Sequence, residues 1–404
     1  MKEPRLLVVH VALMGALAAG GPPSVAAAEP LPAAGGWLRV GGEVGLTSAV
    51  GDRGWFNETE YRRSTLHLAV FSLSGEARAG DRLALLAEVR SENLDTPNVY
   101  ALYLRLRPWS GRSFDIQAGR IPPVFGTFAR RRYGIDNPLA GLPLAYQYLT
   151  TLLPDAVPRD ANALLERRGY GWLVDYPLGS PHPSGGMPLV SALRWDTGVQ
   201  VRVGSEPLEV SAALTQGTLS NPRTRDDNGG KQVSARIAVR PLVGLVLGVS
   251  GATGEYLGRD ATQGLPPALS GRPYRQRALG LDVEWSRGYG LVSAEAVWSG
   301  WDVPAVSAPF IHGPLQALGV FLEARYKLAP GLYAAARLDH LGFNAIDGSM
   351  GRLAWDAPVT RTEAGLGFAV RRNLWLKGVF QHDWRDGGSV RSQSIGAVQL
   401  AFWF

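Results

Sequence analysis

The chain has 404 residues, a formal net charge of +6 at pH 7 and no cysteine. The lack of cysteine excludes disulfide cross-links, thiolate nucleophiles and thiolate metal sites. Mean hydropathy is −0.03 and glycine is abundant at 50 residues. Beyond residue 28 no apolar run is long enough to span a bilayer as a helix, so a membrane crossing would have to use strands.

The N-terminal segment has the pattern of an export signal. Lys2 and Arg5 precede an apolar run that continues to Gly20, and three alanines stand directly before Glu29. A basic start, an apolar centre and a small-residue cleavage site are typical of a secretory signal peptide. We therefore expect residues 1–28 to be removed and residues 29–404 to form one domain.

From residue 37 onward the dominant pattern is alternation of apolar and polar residues. In the first segment Leu38, Val40 and Leu46 alternate with Arg39 and Glu43. This period of two predicts strands with one apolar and one polar face. If the polar faces line a lumen, the charged residues that we expect on its wall are Arg39, Arg82, Arg90, Arg236, Arg240, Arg325, Glu43, Glu88 and Glu284.

Connections between the predicted strands alternate between short and long. Short ones fall at 204–207, 240–242, 287–289, 329–331 and 371–373, and long polar ones fall at 221–230, 258–272, 300–313 and 343–358. Tight turns at one end and longer loops at the other are typical of a membrane barrel. Aromatic residues near strand ends fit girdles at the two interfaces, and we expect these to include Trp285, Tyr289, Trp298, Trp301, Tyr326 and Trp375.

The strand count follows from the need for an even number. About 17 segments alternate, and a single-chain barrel of this class has an even number of strands. Assigning 170–176 to a loop gives 16 strands, whereas a hairpin within 189–203 gives 18. We predict an all-β transmembrane antiparallel barrel of about 16 strands, with 18 as the alternative, and read 189–203 as the entry into one long strand.

One long stretch, residues 119–168, lacks sustained alternation. It is rich in tyrosine, phenylalanine and leucine, so it needs an apolar surface to pack against. A segment of this length inside a compact domain is usually functional or disordered. We expect it to fold into the barrel as a constriction loop, with a short helix over 143–153 that ends at Pro154.

The last strand supports the same architecture. Val398, Leu400, Phe402 and Phe404 alternate with less apolar residues, and the sequence stops at Phe404. This pattern resembles the closing strand of bacterial outer-membrane barrels, in which a terminal aromatic is part of the signal for the barrel-assembly machinery. The resemblance implies that this machinery is a partner.

Taken together, these features resemble a Gram-negative outer-membrane porin. The segment Gly119–Gly126, which reads GRIPPVFG, is similar to the corresponding one in the phosphate-selective porin O and P family. The resemblance implies passive diffusion of small hydrophilic solutes or ions, an inward loop that narrows the pore, and basic residues that attract anions. It also implies a homotrimer in contact with lipid and lipopolysaccharide, without a cofactor or nucleic acid.

The predicted selectivity site lies on the insertion. A fixed charge at a narrow constriction sets ion preference because screening is weak there. The candidates are Arg120, Arg130, Arg131, Arg132 and Asp136. Acidic residues of the wall lie on the same polar faces of the strands as the arginines. A transverse field of opposed charges is therefore the alternative to a pore that attracts only anions. A third interpretation pairs the arginine triplet with Asp136 and Glu166 or with lipopolysaccharide phosphates.

Two functional classes other than a porin are compared with the sequence: a barrel enzyme and a plugged barrel. A barrel enzyme would need a histidine beside a carboxylate, and Asp339-His340 and His382-Asp383 are adjacent pairs. Adjacent residues in a strand point to opposite faces, so we expect no catalytic dyad and no enzyme activity. No histidine or carboxylate spacing predicts a metal site. The remaining alternative is a structural or binding barrel that the insertion plugs.

Overall fold

The computed structural model describes residues 31–404 apart from 34–36, 55, 58–63, 110–112, 172, 193 and 206. The predicted signal peptide and the side chain of Arg130 lie outside the described part. Within that part, sixteen strands form one closed antiparallel barrel, as the sequence predicts. They are β2 (Leu38–Ala49), β3 (Leu68–Ala79), β4 (Leu83–Glu92), β5 (Asn98–Leu106), β6 (Ser113–Ile121), β9 (Asp196–Ser205), β10 (Leu208–Thr215), β11 (Gln232–Leu242), β12 (Leu245–Glu255), β13 (Arg275–Arg287), β14 (Gly290–Trp301), β15 (Leu315–Ala329), β16 (Leu332–Phe343), β19 (Val359–Arg371), β20 (Leu374–Arg385) and β21 (Ser392–Trp403).

The remaining elements are short. β1 (Leu31–Ala33) pairs with the start of β2, β7 (Ala156–Val157) pairs with β8 (Leu178–Gly179), and β17 (Ala345–Gly348) pairs with β18 (Gly351–Ala354). The helices are a 3-10 turn (Phe128–Arg131), α1 (Leu144–Gln147), α2 (Ala161–Leu165), α3 (Arg259–Gln263) and α4 (Pro267–Ser270). None of the described helices is long and apolar enough to cross a membrane.

Each barrel strand pairs with its neighbours in the chain, and the last strand closes the ring against the first. Glu43 on β2 lies opposite Trp403 on β21 and opposite Ser72 on β3. The tight connections all lie at one end, where Gly244 and Gly331 take up the positive φ that a two-residue turn requires. The longer loops lie at the other end, and by the general rule the tight turns face the periplasm.

Alternation along the strands separates an apolar exterior from a polar interior. Leu102, Leu281 and Leu322 point outward and are about half exposed, whereas Glu323 beside Leu322 is buried inside. Large apolar side chains on the outer face recur on strands all around the ring. Such a face is stable in hydrocarbon and costly in water, so the barrel is built to span a membrane.

The aromatic girdle is only partly as predicted. Trp285, Tyr289 and Tyr326 are exposed near the tight-turn end, and the rings of the two tyrosines lie 6.4 Å apart. Trp301 was wrongly expected there: it points inward, is fully buried and packs edge-on against Trp355. Trp375 likewise falls on the inward register, because it pairs with Ala401 and packs against Tyr333.

The insertion is longer than the sequence pattern predicts. β6 continues through Ile121 and the next barrel strand begins only at Asp196, so the segment runs from residue 122 to 195 rather than from 119 to 168. Leu189 and Val190 are not in a strand: they are fully buried in the same apolar cluster as Leu144 and Tyr146. The predicted helix over 143–153 shortens to the single turn of α1. The described residues of 170–176 form no strand, which agrees with the count of 16.

Candidate functional site

The insertion lies inside the barrel, where side chains of the wall bind its backbone N–H groups. The Gly134 N–H donates to Glu43 of β2 (2.7 Å), the Gly141 N–H to Glu363 of β19 (2.9 Å), and the Leu144 N–H to Asp339 of β16 (2.6 Å). An irregular segment has few secondary-structure partners for its backbone, and unpaired buried N–H groups are costly. These wall carboxylates therefore hold the insertion in place.

Cationic side chains of the wall bind the insertion's carbonyl groups in the same way. Arg337 of β16 donates to the Gly141 carbonyl (2.6 Å), and Arg361 of β19 donates to that of Leu142 (3.0 Å). Lys377 of β20 donates to the carbonyls of Gly134, Asn137 (2.6 Å) and Leu139 (3.3 Å). The charges on β16, β19 and β20 are thus occupied in binding the insertion.

The same charged groups are paired with one another. Arg337 lies between Glu323 (3.0 Å) and Glu363 (2.5 Å), and Arg361 pairs with Asp383 (2.7 Å). All five side chains are fully or almost fully buried. A buried charge is stable only when it is paired and hydrogen-bonded, and here both conditions are met. The lumen beside β15, β16, β19 and β20 is therefore filled by these side chains and the insertion.

The two side chains of the arginine triplet that the structure describes make different contacts. Arg131 donates to Glu323 (2.9 Å) and to Ser293 (3.2 Å), which joins the insertion to β15 and β14. Arg132 is buried, with its guanidinium carbon 3.5 Å from the centre of the Tyr100 ring and a bond to Glu88 (3.4 Å). The described ion pairs of Arg131 and Arg132 therefore run to carboxylates of the barrel wall, not to Asp136 or Glu166.

Asp136 lies near these arginines on the insertion. Burial raises its pKa to about 6, and the nearby charges of Arg131 and Lys377 act in the opposite direction. Its charge consequently changes as pH passes through about 6.

Arg120 lies away from the rest of the predicted site. Arg120 pairs with Leu102 of β5, which points outward, so Arg120 lies on the outward register of β6. Its side chain donates to the backbone carbonyls of Trp195 (3.1 Å) and Val99. It is therefore at the rim of the barrel at the long-loop end, since β6 ends one residue later. The structure does not bring it together with Arg131 and Arg132.

The predicted wall residues divide into two groups by their contacts. Some are covered by the insertion or paired beside it: Glu43, Glu88 and Arg90. Others lie on the part of the wall that the insertion leaves more open or near the tight turns: Arg39, Arg82, Arg236, Arg240, Arg325 and Glu284. The predicted wall residues that lie within strands point into the lumen, as alternation predicts. The register of β2 to β4, β11, β13 and β15 demonstrates this.

The more open side of the lumen follows β9 to β11 and continues to Glu284 near the tight-turn end of β13. Arg202 donates to Glu209 (2.6 Å) and Arg240 lies 3.6 Å from the same carboxylate, and both arginine side chains keep about two-fifths of their surface exposed. Glu284 is similarly exposed, while Arg236 forms a two-pronged pair with Asp282. Arg202, Arg240 and Glu284 thus meet solvent near the tight-turn end of the lumen, whereas the Arg236–Asp282 pair is largely buried.

Two cavities continue this side toward the long loops. The crevice, between Pro122–Val124 of the insertion and Thr215, Gln232 and Ser234 of the wall, has a volume of about 20 Å³. The mouth cavity, of about 770 Å³, lies among the long loops. The two share Arg194 and Pro222 in their linings, so the crevice begins where the mouth cavity ends.

The histidine pairs have the geometry that alternation predicts. Asp339 and Asp383 point into the barrel and are buried, whereas His340 and His382 point outward. His340 bonds to Thr360 (2.8 Å) and His382 bonds to Ser394 (2.6 Å) on the outer face. Neither histidine can therefore share a proton with the aspartate beside it.

Several wall residues that hold the insertion were not predicted. They are Glu295, Arg337, Asp339, Arg361, Glu363, Lys377 and Asp383. Each falls on the polar face of an alternating strand, so the period of two was the signal that could have found them.

No family model matches the chain, and no curated protein does. Solved structures do match. An anion-selective porin from Comamonas acidovorans is 11% identical, with a TM-score of 0.56, and the match covers 91% of this chain and 99% of that one. The outer-membrane channel DcaP of Acinetobacter baumannii is 8% identical, with a TM-score of 0.52 over 91% and 97% of the two chains. OmpT of Vibrio cholerae in its trimer form is 10% identical, with a TM-score of 0.52 over 91% and 99%. The chain thus has the barrel fold of Gram-negative outer-membrane porins.

Proposed function

We propose that the protein is an outer-membrane channel through which small hydrophilic solutes and ions diffuse passively. The observation that carries the proposal is the uneven filling of the lumen. The insertion is bonded to wall residues of β2, β4, β12, β14 to β16, β19 and β20, while the polar cavities and the solvent-exposed charges of Arg202 and Arg240 lie along β9 to β11. A polar interior inside an apolar exterior is the arrangement that conducts hydrophilic solutes.

The route that we propose enters at the mouth cavity and passes the crevice beside Ser234. It leaves past Arg236, Arg240 and Arg202. The insertion is the constriction, because its segment 122–124 forms one side of the narrowest cavity on this route. The crevice has room for about one water molecule, so small outward movements of this segment would set the passage rate.

We also propose that the channel prefers anions to cations. Lysines contribute little to the route, because Lys377 is buried against the insertion, Lys231 pairs with Asp226, and Lys327 lies on β15, away from the strands of the route. Arginine must supply the positive field, and Arg130 and Arg131 of the insertion are the candidates within the barrel. Glu284, 4.0 Å from Arg131, gives the field a transverse component. The resemblance of the GRIPPVFG segment to the porin O and P family supports a channel, and phosphate selectivity is not part of the proposal.

The decisive experiment is single-channel recording of refolded protein in a planar bilayer under a salt gradient. We expect steady openings and a reversal potential whose sign corresponds to anion preference. Alanine at both Arg130 and Arg131 should lower the anion-to-cation permeability ratio. As a matched control, alanine at Arg167 removes a charge from the insertion outside the proposed route. An unchanged ratio in the double variant would exclude these arginines as the selectivity site.

A plugged structural or binding barrel is the second candidate, and the packing of the insertion favours it. Leu144, Tyr146, Leu152 and Leu189 are fully buried in a continuous apolar cluster, and the crevice is narrow. Absence of conductance from protein that is folded and inserted would support this candidate over the channel.

The proposed partners follow from the same architecture. Phe404 closes the barrel through two backbone hydrogen bonds with Gly42 (3.0 and 3.1 Å). The phenyl ring of Phe404 stacks against that of Phe402. We propose that this strand is read by the barrel-assembly machinery and that the outer face contacts lipid and lipopolysaccharide. The trimer form of the structurally similar OmpT supports a homo-oligomer.

A further inference from the structure

The positive charge of the chain is concentrated at the tight-turn end of the barrel. Within the described residues, this end comprises the short connections and the three residues of each barrel strand nearest to that end. It carries nine arginines and one lysine, against the carboxylates of Asp81, Asp115 and Glu209. Of the chain's 41 cationic and 35 acidic side chains, the remaining 31 and 32 nearly cancel. The excess at the tight-turn end therefore accounts for the formal net charge of +6.

The ends of β2 to β5 hold one compact group of these charges. Glu76, near the end of β3, pairs with Arg78 (3.0 Å) and with Arg105 of β5 (2.5 Å). Arg39 of β2 lies opposite Glu76 in the register and is exposed. One carboxylate thus faces three guanidinium groups, so the group keeps a net positive charge.

The turns after β3 and β5 add two arginines beside this group. The Arg107 N–H donates to the Arg82 carbonyl (2.7 Å), so the two turns are in contact. Both side chains are exposed, and no described residue forms a hydrogen bond or an ion pair with either guanidinium. The same is true of Arg287, Lys327 and Arg371, which lie beside three turns farther around the barrel. These five cations are therefore available to a partner outside the chain.

The available cations are spread around the rim of the barrel. Sixteen tilted strands with a spacing of about 4.8 Å form a ring roughly 30 Å across. Arg82 lies on the turn between β3 and β4 and Arg287 on the turn between β13 and β14, which is half the ring away. An anion of a few atoms contacts only neighbouring groups, and a macromolecule is needed to contact cations on both sides of the opening.

The facing of the cations distinguishes a soluble partner from a lipid leaflet. Arg39 lies on the same inward register as Glu43, and Lys327 pairs with Tyr333, which points inward. Lipid headgroups meet the outer face of a barrel, so they do not reach these two side chains. A soluble macromolecule that approaches along the barrel axis does reach them.

Apolar side chains at the tips of the turns add contact area of the kind found in protein interfaces. Val243, between β11 and β12, is fully exposed, and Tyr289, between β13 and β14, keeps about two-thirds of its surface exposed. Arginine and tyrosine are enriched among the residues that dominate the binding energy of protein interfaces. The combination favours a protein as the partner over an anionic polysaccharide.

We propose that the tight-turn end is a docking surface for a soluble protein that presents an acidic face. By the general rule for such barrels, this protein lies on the periplasmic side. Complementary charge speeds the encounter and orients the partner, and the exposed turn tips then contact it. The surface lies away from the crevice and needs no open pore, so it goes beyond the proposed channel function and does not depend on it.

The test uses the refolded full chain in nanodiscs of phosphatidylcholine, which leave both ends of the barrel accessible. The probe is ubiquitin with an oligoglutamate tail, because its folded body is too large to enter the lumen. Ubiquitin with a glycine-serine tail of equal length is the neutral control. Calorimetric titration should show binding of the acidic probe alone, with an affinity that falls as salt is raised. R82A/R107A should bind the acidic probe about tenfold more weakly, because two charges that face it are lost.

The matched control is R272A/R352A, which removes two exposed arginines of the long loops at the opposite end of the barrel. It should bind the acidic probe like the unmodified chain, and circular dichroism checks that both variants are folded. Three results would overturn the inference: undiminished affinity in R82A/R107A, equal losses in the two variants, or no binding by folded protein.

A change of lipid and a conductance measurement separate the other outcomes. Nanodiscs of phosphatidylglycerol could raise the stability of the unmodified chain against urea, but not that of R82A/R107A, while the acidic probe fails to bind. The cations would then anchor the barrel to an anionic leaflet, and the docking surface would be excluded. In bilayer recordings, a conducting barrel that does not bind the probe leaves the channel and removes the docking surface. A silent barrel that binds the probe leaves the docking surface and removes the channel.

Discussion

Arg361 and Asp383 form an ion pair on neighbouring strands of the barrel, with 2.7 Å between Nε and Oδ1 and both side chains fully buried. The two Nη atoms of Arg361 also donate to the carbonyls of Leu142 in the insertion (3.0 Å) and Phe56 in the first long loop (2.9 Å). One guanidinium therefore joins the wall, the insertion and an outer loop.

Replacing Arg361 by leucine should destabilise the barrel by about 3–5 kcal/mol, because Asp383 would be left buried without its partner. Unfolding in urea, followed by tryptophan fluorescence of refolded protein in detergent, measures the change. The double variant R361L/D383L removes both charges and should recover part of the loss. If the single and double variants were equally stable, the pair would not be the cause.

Asp356 is a buried carboxylate that holds the outer part of the insertion. It accepts from the backbone N–H groups of Thr151 (2.9 Å), Gly169 (2.8 Å) and its neighbour Ala357 (2.7 Å). Burial raises its pKa to about 6 from an ordinary value of 3.8, while these bonds act to lower it. At a pH between these two pKa values, Asp356 is therefore protonated to a greater extent in the folded chain than in the unfolded chain.

The sign of the pH effect follows from that difference. A carboxyl whose pKa is raised by folding contributes stability that is full below pH 4 and is lost as pH rises through about 6. Unmodified protein should lose up to about 3 kcal/mol more between pH 4 and pH 7 than D356N does, since two pKa units correspond to that energy. Urea unfolding of both proteins at the two pH values measures it, and parallel pH profiles would contradict the assignment.

The sequence predicted the barrel well because strand alternation is a local property. Glu43, Glu88 and Arg236 face inward as expected, while the apolar residues that follow them, Val44, Val89 and Ile237, lie on the outward register. The end of the insertion was misjudged because Leu189 and Val190 are as apolar as a strand requires. Only packing against the distant α1 distinguishes them from the strand that begins at Asp196.

The partners of the site residues could not be predicted in the same way. The bond from Arg131 to Glu323 joins positions 192 residues apart, and that from Arg337 to the Gly141 carbonyl spans 196. Such pairings depend on where an irregular segment settles inside the barrel, and no period in the sequence encodes that position. Arg120 illustrates the opposite case, because its outward register was available from the alternation of β6.

Asp136 should make ion selectivity depend on pH. Its pKa of about 6 means that it is mostly neutral at pH 5 and mostly ionised at pH 7.5, close to Arg131 and Lys377. Ionisation offsets the positive charge of the insertion, so the anion-to-cation permeability ratio should fall as pH rises across this range. Reversal potentials at the two pH values measure the ratio. D136N should keep the higher ratio at both, and an equal pH dependence in D136N would assign the effect to another group.

The absence of cysteine allows the proposed route to be probed with single thiols. Ser234 faces inward and lines the crevice, whereas its neighbour Ala235 faces the membrane. A charged methanethiosulfonate reagent should reduce the conductance of S234C by more than half, because the added group would fill the narrowest cavity. A235C, one residue away on the opposite face, should conduct as before. Reduced current in both variants would point to damage to the barrel rather than to blockage. Unchanged current in S234C, with the channel open and the thiol shown to be modified, would move the route away from β11.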